Sequence, residues 1–473
     1  MTLLNHREIN LNEHEKSKSN YIARDLILWF IFIFLIPIVL FIVYMISKDS
    51  FESKDSKVER ISINEPMSQV FLSKYPNSIC NDGTSASYYI RMSDSNKFWV
   101  ILLDGGFFCY DKQSCSQRYL NSFNLTSSFG NKQFKYGNGI LSSDSNLNKY
   151  WSNANIINVP YCSSDLWTGN KRCDNCTDEF SFMGAQILDD VLEDLFQSTE
   201  ISQSSLVLLT GVSAGGIGVL MNANRIKQKF DLKAPQTKLK VIIDSSWQLD
   251  LPYSYLCNQN ECPMNRVFKN SIKYWNSQIP NECARQETNS LWNCFLPNKI
   301  IPFIQLPVFI IQSKFDESQL LEQYNQVEMN QKDKSIPLVE TFKIMDFKLR
   351  KSLSNVTTYF ITSCLNHMII TRDDWNYFKI DDLSLSDAIY KWAMSENEID
   401  LDNFKKIDEC SFPDCQGECP SMRHPETNKI INSFDYVKYL GLISYESIGK
   451  WLNLSELNVK KMSYFKLMKL LMY

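Results

Sequence analysis

Gly211, Ser213 and Gly215 are spaced as G-x-S-x-G inside the stretch "LLTGVSAGGIGVLMNANRI", residues 208–226. A serine hydroxyl is a weak nucleophile until a base takes its proton, and a serine on a sharp strand-to-helix turn offers that hydroxyl to an ester carbonyl. Such a turn brings backbone segments close together and needs tiny neighbours, which Gly211, Ala214, Gly215 and Gly216 supply. The apolar "LVLLT" before the motif reads as the strand, and "AGGIGVLMNANRIKQKF" after it as the helix. The rival reading is a small-residue turn with no chemistry, and the motif alone does not choose between the two.

A base is therefore needed, and the chain has four histidines: His6, His14, His367 and His424. The first two precede a long apolar run, and His424, in "SMRHPET", reads as a surface residue. His367 closes the strand-like "VTTYFITSCLNH" (356–367), on the loop where α/β hydrolases carry their base. The orienting acid should follow a strand between serine and histidine, and Asp316 in "PVFIIQSKFDE" (307–317) does so. Glu317 and Asp244 are the rival acids, both read as structural. The order Ser213, Asp316, His367 is that of an α/β hydrolase. For the developing oxyanion, "LLDGGFFCYD" offers the N–H groups of Gly106 and Phe107, which would converge with that of Ala214. A Gly-Gly pair after a strand also serves as a plain tight turn.

These residues need a scaffold. "FWVILLDGG" (98–106), "NIINVPYC" (155–162), "SLVLLTG", "LKVIIDSSW" (239–247), 307–317 and 356–367 as the last are strand-like. "MGAQILDDVLEDLF" (183–196) puts Ile187, Leu188, Val191, Leu192 and Leu195 on one helical face. Alternation of this kind predicts an α/β fold of the α/β-hydrolase type, a mostly parallel sheet with helices on both faces. Ligands bind such sheets at the carboxyl ends of the strands.

Composition limits the alternatives. The 473 residues are 44% hydrophobic and carry a formal net charge of −4, which gives no electrostatic case for nucleic acid. Leu26 to Ile46 is an uncharged apolar run long enough to cross a bilayer, and it lacks the cleavage-site pattern of a signal peptide. The expected organisation is a cytoplasmic tail (1–25), a transmembrane signal anchor (26–46), a polar stalk (47–66) and a catalytic domain (67–473). All 14 cysteines lie after the run, as expected of a disulfide-bonded domain in the lumen or outside the cell. "CDNC" (173–176) has a zinc-like spacing, but no second pair or nearby histidine completes a site. Four N-x-S/T sequons, at Asn124, Asn175, Asn355 and Asn453, fit export. The expected location is a type II membrane protein of the Golgi or cell surface, with release by stalk cleavage as a further option.

Several stretches resemble the pectinacetylesterase family. The "SAGG" and "DGG" cores are shared with plant pectin acetylesterases, whereas "PYCSSDLW" (160–167), "YWN" (274–276) and "WNCF" (292–295) resemble the branch of palmitoleoyl-protein carboxylesterases. The similarity runs from about residue 76 to 425. It implies the catalytic residues Ser213, Asp316 and His367 and the oxyanion donors Gly106, Phe107 and Ala214, with no metal or organic cofactor. It also implies a lipidated Wnt protein as substrate, proteoglycans as further partners, and an acyl pocket lined by Phe107, Gln248, Phe295 and Leu296. In that branch these positions hold tryptophan and phenylalanines, and members are secreted, so this chain departs in its pocket and in its anchor. An unpaired Gln in an apolar pocket costs roughly 1–3 kcal/mol. The alternatives are an acetylesterase acting on polysaccharide, or a membrane-tethered module that only binds a partner. The latter gains nothing from Ser, Asp and His in catalytic order.

Overall fold

The computed structural model describes residues 64–94, 97–173, 179–249, 263–321, 338–396 and 404–414, and most positions from 417 to 466. Its main sheet has ten strands: β1 (Pro66–Phe71), β2 (Ser87–Arg91), β3 (Phe98–Leu103), β4 (Phe134–Tyr136), β5 (Asn155–Val159), β6 (Leu206–Val212), β7 (Lys238–Asp244), β8 (Val308–Ser313), β9 (Tyr359–Thr362) and β10 (Lys405–Ile407). Their spatial order is β10-β9-β8-β7-β6-β3-β5-β2-β1-β4. From β10 to β5 every pairing is parallel, while β2, β1 and β4 add an antiparallel edge.

The central strands are continuous Val, Ile and Leu runs because both of their faces are covered. All seven residues of β6 and all five of β5 are buried. Alternate side chains enter different cores. Ile101, Leu103, Val207, Leu209, Val241, Ile243 and Ile310 join one, while Val100, Leu102, Leu208, Ile242, Phe309 and Phe360 join the other. Six helices matter here: α1 (Lys112–Asn121), α2 (Gly184–Ser198), α3 (Ala214–Lys233), α4 (Pro263–Trp275), α5 (Leu338–Ser352) and α6 (Leu385–Met394). The first core takes Ile187, Leu188, Val191 and Leu192 of α2, Val219 and Leu220 of α3, and Phe342 and Met345 of α5. The second takes Leu385, Ala388, Ile389 and Trp392 of α6. A mostly parallel sheet with a helical layer on each face is thus the architecture.

The strand expected over 356–367 narrows to β9 and is not the last, since β10 pairs beyond it. The folded body also begins slightly earlier than residue 67. Asn64 Nδ2 donates to the Gly137 carbonyl at 2.9 Å, its Oδ1 accepts from Ser143 N–H at 3.1 Å, and Pro66 opens β1. The tail 1–25, the apolar run 26–46 and the stalk up to 63 lie outside the described residues. Among the described residues, no helix is long and apolar enough to cross a membrane.

Among the described residues, disulfides join Cys80 to Cys162, Cys109 to Cys115, Cys283 to Cys294 and Cys364 to Cys419. Cys173 and Cys410 are also disulfide-bonded, and no described cysteine is free. Cys176, the other end of "CDNC", lies outside the described residues, as does Asn175. Disulfides on this scale belong to an oxidising compartment. The sequon asparagines Asn124, Asn355 and Asn453 are all exposed.

Candidate active site

Ser213 joins β6 to α3 with φ 54° and ψ −123°, a strained conformation for a residue with a side chain. The surrounding backbone holds it there. Ser213 N–H donates to the Asp244 carbonyl at 2.8 Å, and its own carbonyl accepts from Ser246 Oγ at 2.8 Å and from Gly216 N–H at 3.0 Å. A Cβ on Gly215 would collide with the carbonyl of Leu103, so the turn tolerates only glycine there.

His367 lies beyond β9, and Asp316 lies just beyond β8. His367 Nδ1 is 3.0 Å from Asp316 Oδ1 and 2.9 Å from Oδ2. The Asp316 carboxylate is fixed by Gln312 Nε2 at 2.9 Å and by the Gln319 N–H at 3.1 Å. Burial works against a charged imidazole, but the neighbouring Asp316 carboxylate, helped by Asp244 and Glu317, outweighs it and pushes the His367 pKa up to about 9. Nδ1 faces the acid, which leaves Nε2 as the nitrogen free to serve as base.

The rival acids have other duties. Glu317 accepts from the Tyr436 hydroxyl at 2.7 Å. Asp244 ends β7, fully buried, and its Oδ2 accepts the N–H groups of Ile369 and Ile370, the latter at 2.8 Å. Ser245 Oγ donates to Asp244 Oδ1 at 3.0 Å and accepts from Met368 N–H at 2.8 Å. Asp244 therefore grips the serine turn with its carbonyl and the histidine loop with its carboxylate. Burial pushes its pKa up to about 6, against the lowering effect of these donors. Sequence spacing could not reveal this clamp, because its partners are backbone N–H groups more than a hundred residues away. His424 stands apart from the site, its ring packed edge-on to Tyr439.

The Gly105-Gly106-Phe107 loop abuts the serine turn. A Cβ on Gly105 would lie 2.7 Å from Ser213 Cβ and 2.5 Å from the Val212 carbonyl oxygen. Among the described residues, no acceptor is found for the N–H groups of Gly106, Phe107 or Ala214. A tetrahedral oxyanion formed at a serine needs backbone donors of this kind within hydrogen-bond reach. Phe107, 43% exposed, stacks on Phe108 at 4.8 Å between ring centroids. Phe108 in turn packs on Phe268 and Trp275, both at 5.6 Å, and Phe268 stacks on the buried Phe295 at 5.4 Å. An aromatic ladder thus links Phe107 to Phe295. Gln248 is half-buried beyond Trp247 and Leu296 is buried ahead of a short helix; neither belongs to the ladder.

Residues 62–420 match the family model described as pectinacetylesterase. The chain belongs to the pectinacetylesterase family. It is 34% identical over 376 residues to palmitoleoyl-protein carboxylesterase notum1a of Danio rerio, covering 76% of this chain and 74% of that one. It is 32% identical over 375 residues to palmitoleoyl-protein carboxylesterase NOTUM of Homo sapiens, covering 76% and 75%. To palmitoleoyl-protein carboxylesterase NOTUM of Schmidtea mediterranea it is 35% identical over 378 residues, covering 73% and 69%. This pectinacetylesterase-family chain is accordingly a carboxylic ester hydrolase.

Proposed function

We propose that the chain is a serine carboxylesterase of α/β-hydrolase type that removes an O-linked palmitoleoyl group from Wnt proteins and so restrains Wnt signalling. The observation that carries the mechanism is the His367–Asp316 pair, held on a clamp shared with the strained turn of Ser213. His367 Nε2 takes the Ser213 proton as the hydroxyl oxygen attacks the ester carbonyl. Asp316 keeps the imidazole in the right tautomer and steadies the imidazolium. The N–H groups of Gly106, Phe107 and Ala214 take the oxyanion. Collapse expels the alcohol, which takes the proton from His367, and a water activated by the same histidine then releases the fatty acid.

The substrate reading rests on the names of the similar carboxylesterases and on the exposed ring of Phe107 on the loop that abuts the serine turn, an apolar surface against which an acyl chain can pack. The disulfides and the apolar run at 26–46 support an enzyme tethered on the lumenal or outer side of a membrane, at the Golgi or cell surface. The test is incubation of the full chain, made in a secretory host, with a palmitoleoylated Wnt peptide and with acetyl and octanoyl esters. Ser213-dependent release of palmitoleate in preference to acetate supports this reading. Turnover of acetyl esters alone contradicts it and points to a polysaccharide acetylesterase.

A further inference from the structure

Arg118 lies on α1, immediately after the Gly105-Gly106-Phe107 loop, and the Cys109–Cys115 disulfide ties that loop to the helix. Its Nη2 donates to the Gly106 carbonyl oxygen at 2.5 Å, and its Nε donates to Ser164 Oγ at 2.7 Å. The guanidinium also lies over the ring of Tyr161, 5.9 Å from the centroid. Ser164 is itself fixed, its carbonyl accepting from Cys109 N–H at 3.2 Å and its hydroxyl donating to the Leu125 carbonyl at 3.2 Å. Arg118 is thus held by Ser164 and Tyr161 while it grips one carbonyl.

That carbonyl belongs to the peptide unit whose other end is the Phe107 N–H. A peptide is planar, so the two groups point in opposite directions, and fixing one fixes the other. Gly106 has φ 139° and Phe107 has φ 62°, the latter a conformation that phenylalanine adopts only under backbone strain. An external grip is needed to keep such a peptide from flipping. A flip would replace an N–H donor with a carbonyl oxygen, which repels an oxyanion. A cation on the oxygen end also polarises the N–H end and makes it a stronger donor.

We propose that Arg118 is a positioning residue of the oxyanion hole, locking the Gly106–Phe107 peptide so that the Phe107 N–H serves the transition state. The inference rests on the serine-esterase reading above. It is tested on the full chain with Arg118→Gln, Arg118→Lys and Ser164→Ala, measuring kcat and KM on a short-chain 4-nitrophenyl ester and the affinity for a trifluoromethyl ketone. The ketone's serine adduct puts a real oxyanion in the hole, so its affinity reports the hole itself, which general loosening of the fold does not selectively change.

Arg118→Gln is expected to lower kcat roughly 100-fold with KM within about twofold, and to weaken the ketone in the same proportion. Arg118→Lys, which keeps the charge and one donor, should recover part of the loss. Ser164→Ala, which frees the guanidinium from one anchor, should lose about tenfold or less, and it carries the test if Arg118→Gln does not fold. A soluble Arg118→Gln with unchanged kcat, or a loss confined to KM, overturns the proposal while leaving the esterase reading intact. Absence of Ser213-dependent turnover in the parent chain overturns both.

Discussion

Nδ1 of His367 lies 2.9 Å from Oδ2 of Asp316, whose side chain is 1% exposed. Among the described residues no Lys or Arg pairs with this carboxylate, so in the mechanism proposed above it would stabilise the imidazolium formed when His367 takes the serine proton. Asp316→Asn should keep the geometry but favour the wrong tautomer, lowering kcat by about 10³–10⁴-fold. Steady-state rates on a soluble ester, with a thermal melt as folding control, check this.

The same pair sets the pH dependence. With the His367 pKa at about 9, the neutral base is scarce at pH 7, and the rate should rise with pH and level off above about 9. In Asp316→Asn, burial remains while the largest raising influence is gone, so the inflection should move to lower pH. For stability the sign is opposite. The folded-state pKa exceeds the ordinary 6.5, so the pair's contribution is complete below pH 6.5 and is lost as pH rises through about 9. A pH–rate profile and melts between pH 6 and 10 measure the two effects separately.

Asp244→Asn keeps one acceptor oxygen but loses its charge, weakening the clamp on Ile369 and Ile370. The expected cost is about 1–3 kcal/mol of stability, with kcat falling about tenfold or more through the displaced His367 loop. Denaturant unfolding and kinetics on the same preparation test this.

The His367–Asp316 pair and the strand-to-helix turn at Ser213 were legible in the sequence because each of these residues follows an apolar strand at the carboxyl edge of a parallel sheet. The clamp of Asp244 and the grip of Arg118 were not, since both end on backbone atoms, and no residue pattern encodes which carbonyl or N–H a side chain will meet. The antiparallel strands β1, β2 and β4 also escaped notice. β4 is an exposed edge strand and β1 beside it is half-exposed, both of mixed composition, and β2 carries Arg91, whose guanidinium is satisfied by the Leu141 carbonyl at 2.9 Å. Strand pairing over long separations decides these positions more than local propensity does.

Gly105→Ala places a methyl group against the Val212 carbonyl oxygen and Ser213 Cβ, at 2.5 and 2.7 Å. Two backbone segments would have to part, at a cost of about 1–3 kcal/mol, and the oxyanion loop would withdraw from the serine. A lower melting temperature together with a fall in kcat is the expected outcome.

Gln248→Phe replaces a polar side chain with an apolar one at a position where the similar carboxylesterases are expected to carry phenylalanine. Removing the desolvation cost of the amide, about 1–3 kcal/mol, should raise kcat/KM for palmitoleoyl esters by roughly 5- to 150-fold and leave acetyl esters unchanged. Equal effects on both chain lengths would remove Gln248 from the acyl pocket.

The most direct test of the central claim is labelling of the folded full chain with a fluorophosphonate probe, followed by peptide mapping. The account predicts one modified residue, Ser213, with labelling lost in Ser213→Ala and strongly slowed in His367→Ala. An unlabelled chain, or modification at a serine other than Ser213, would contradict it.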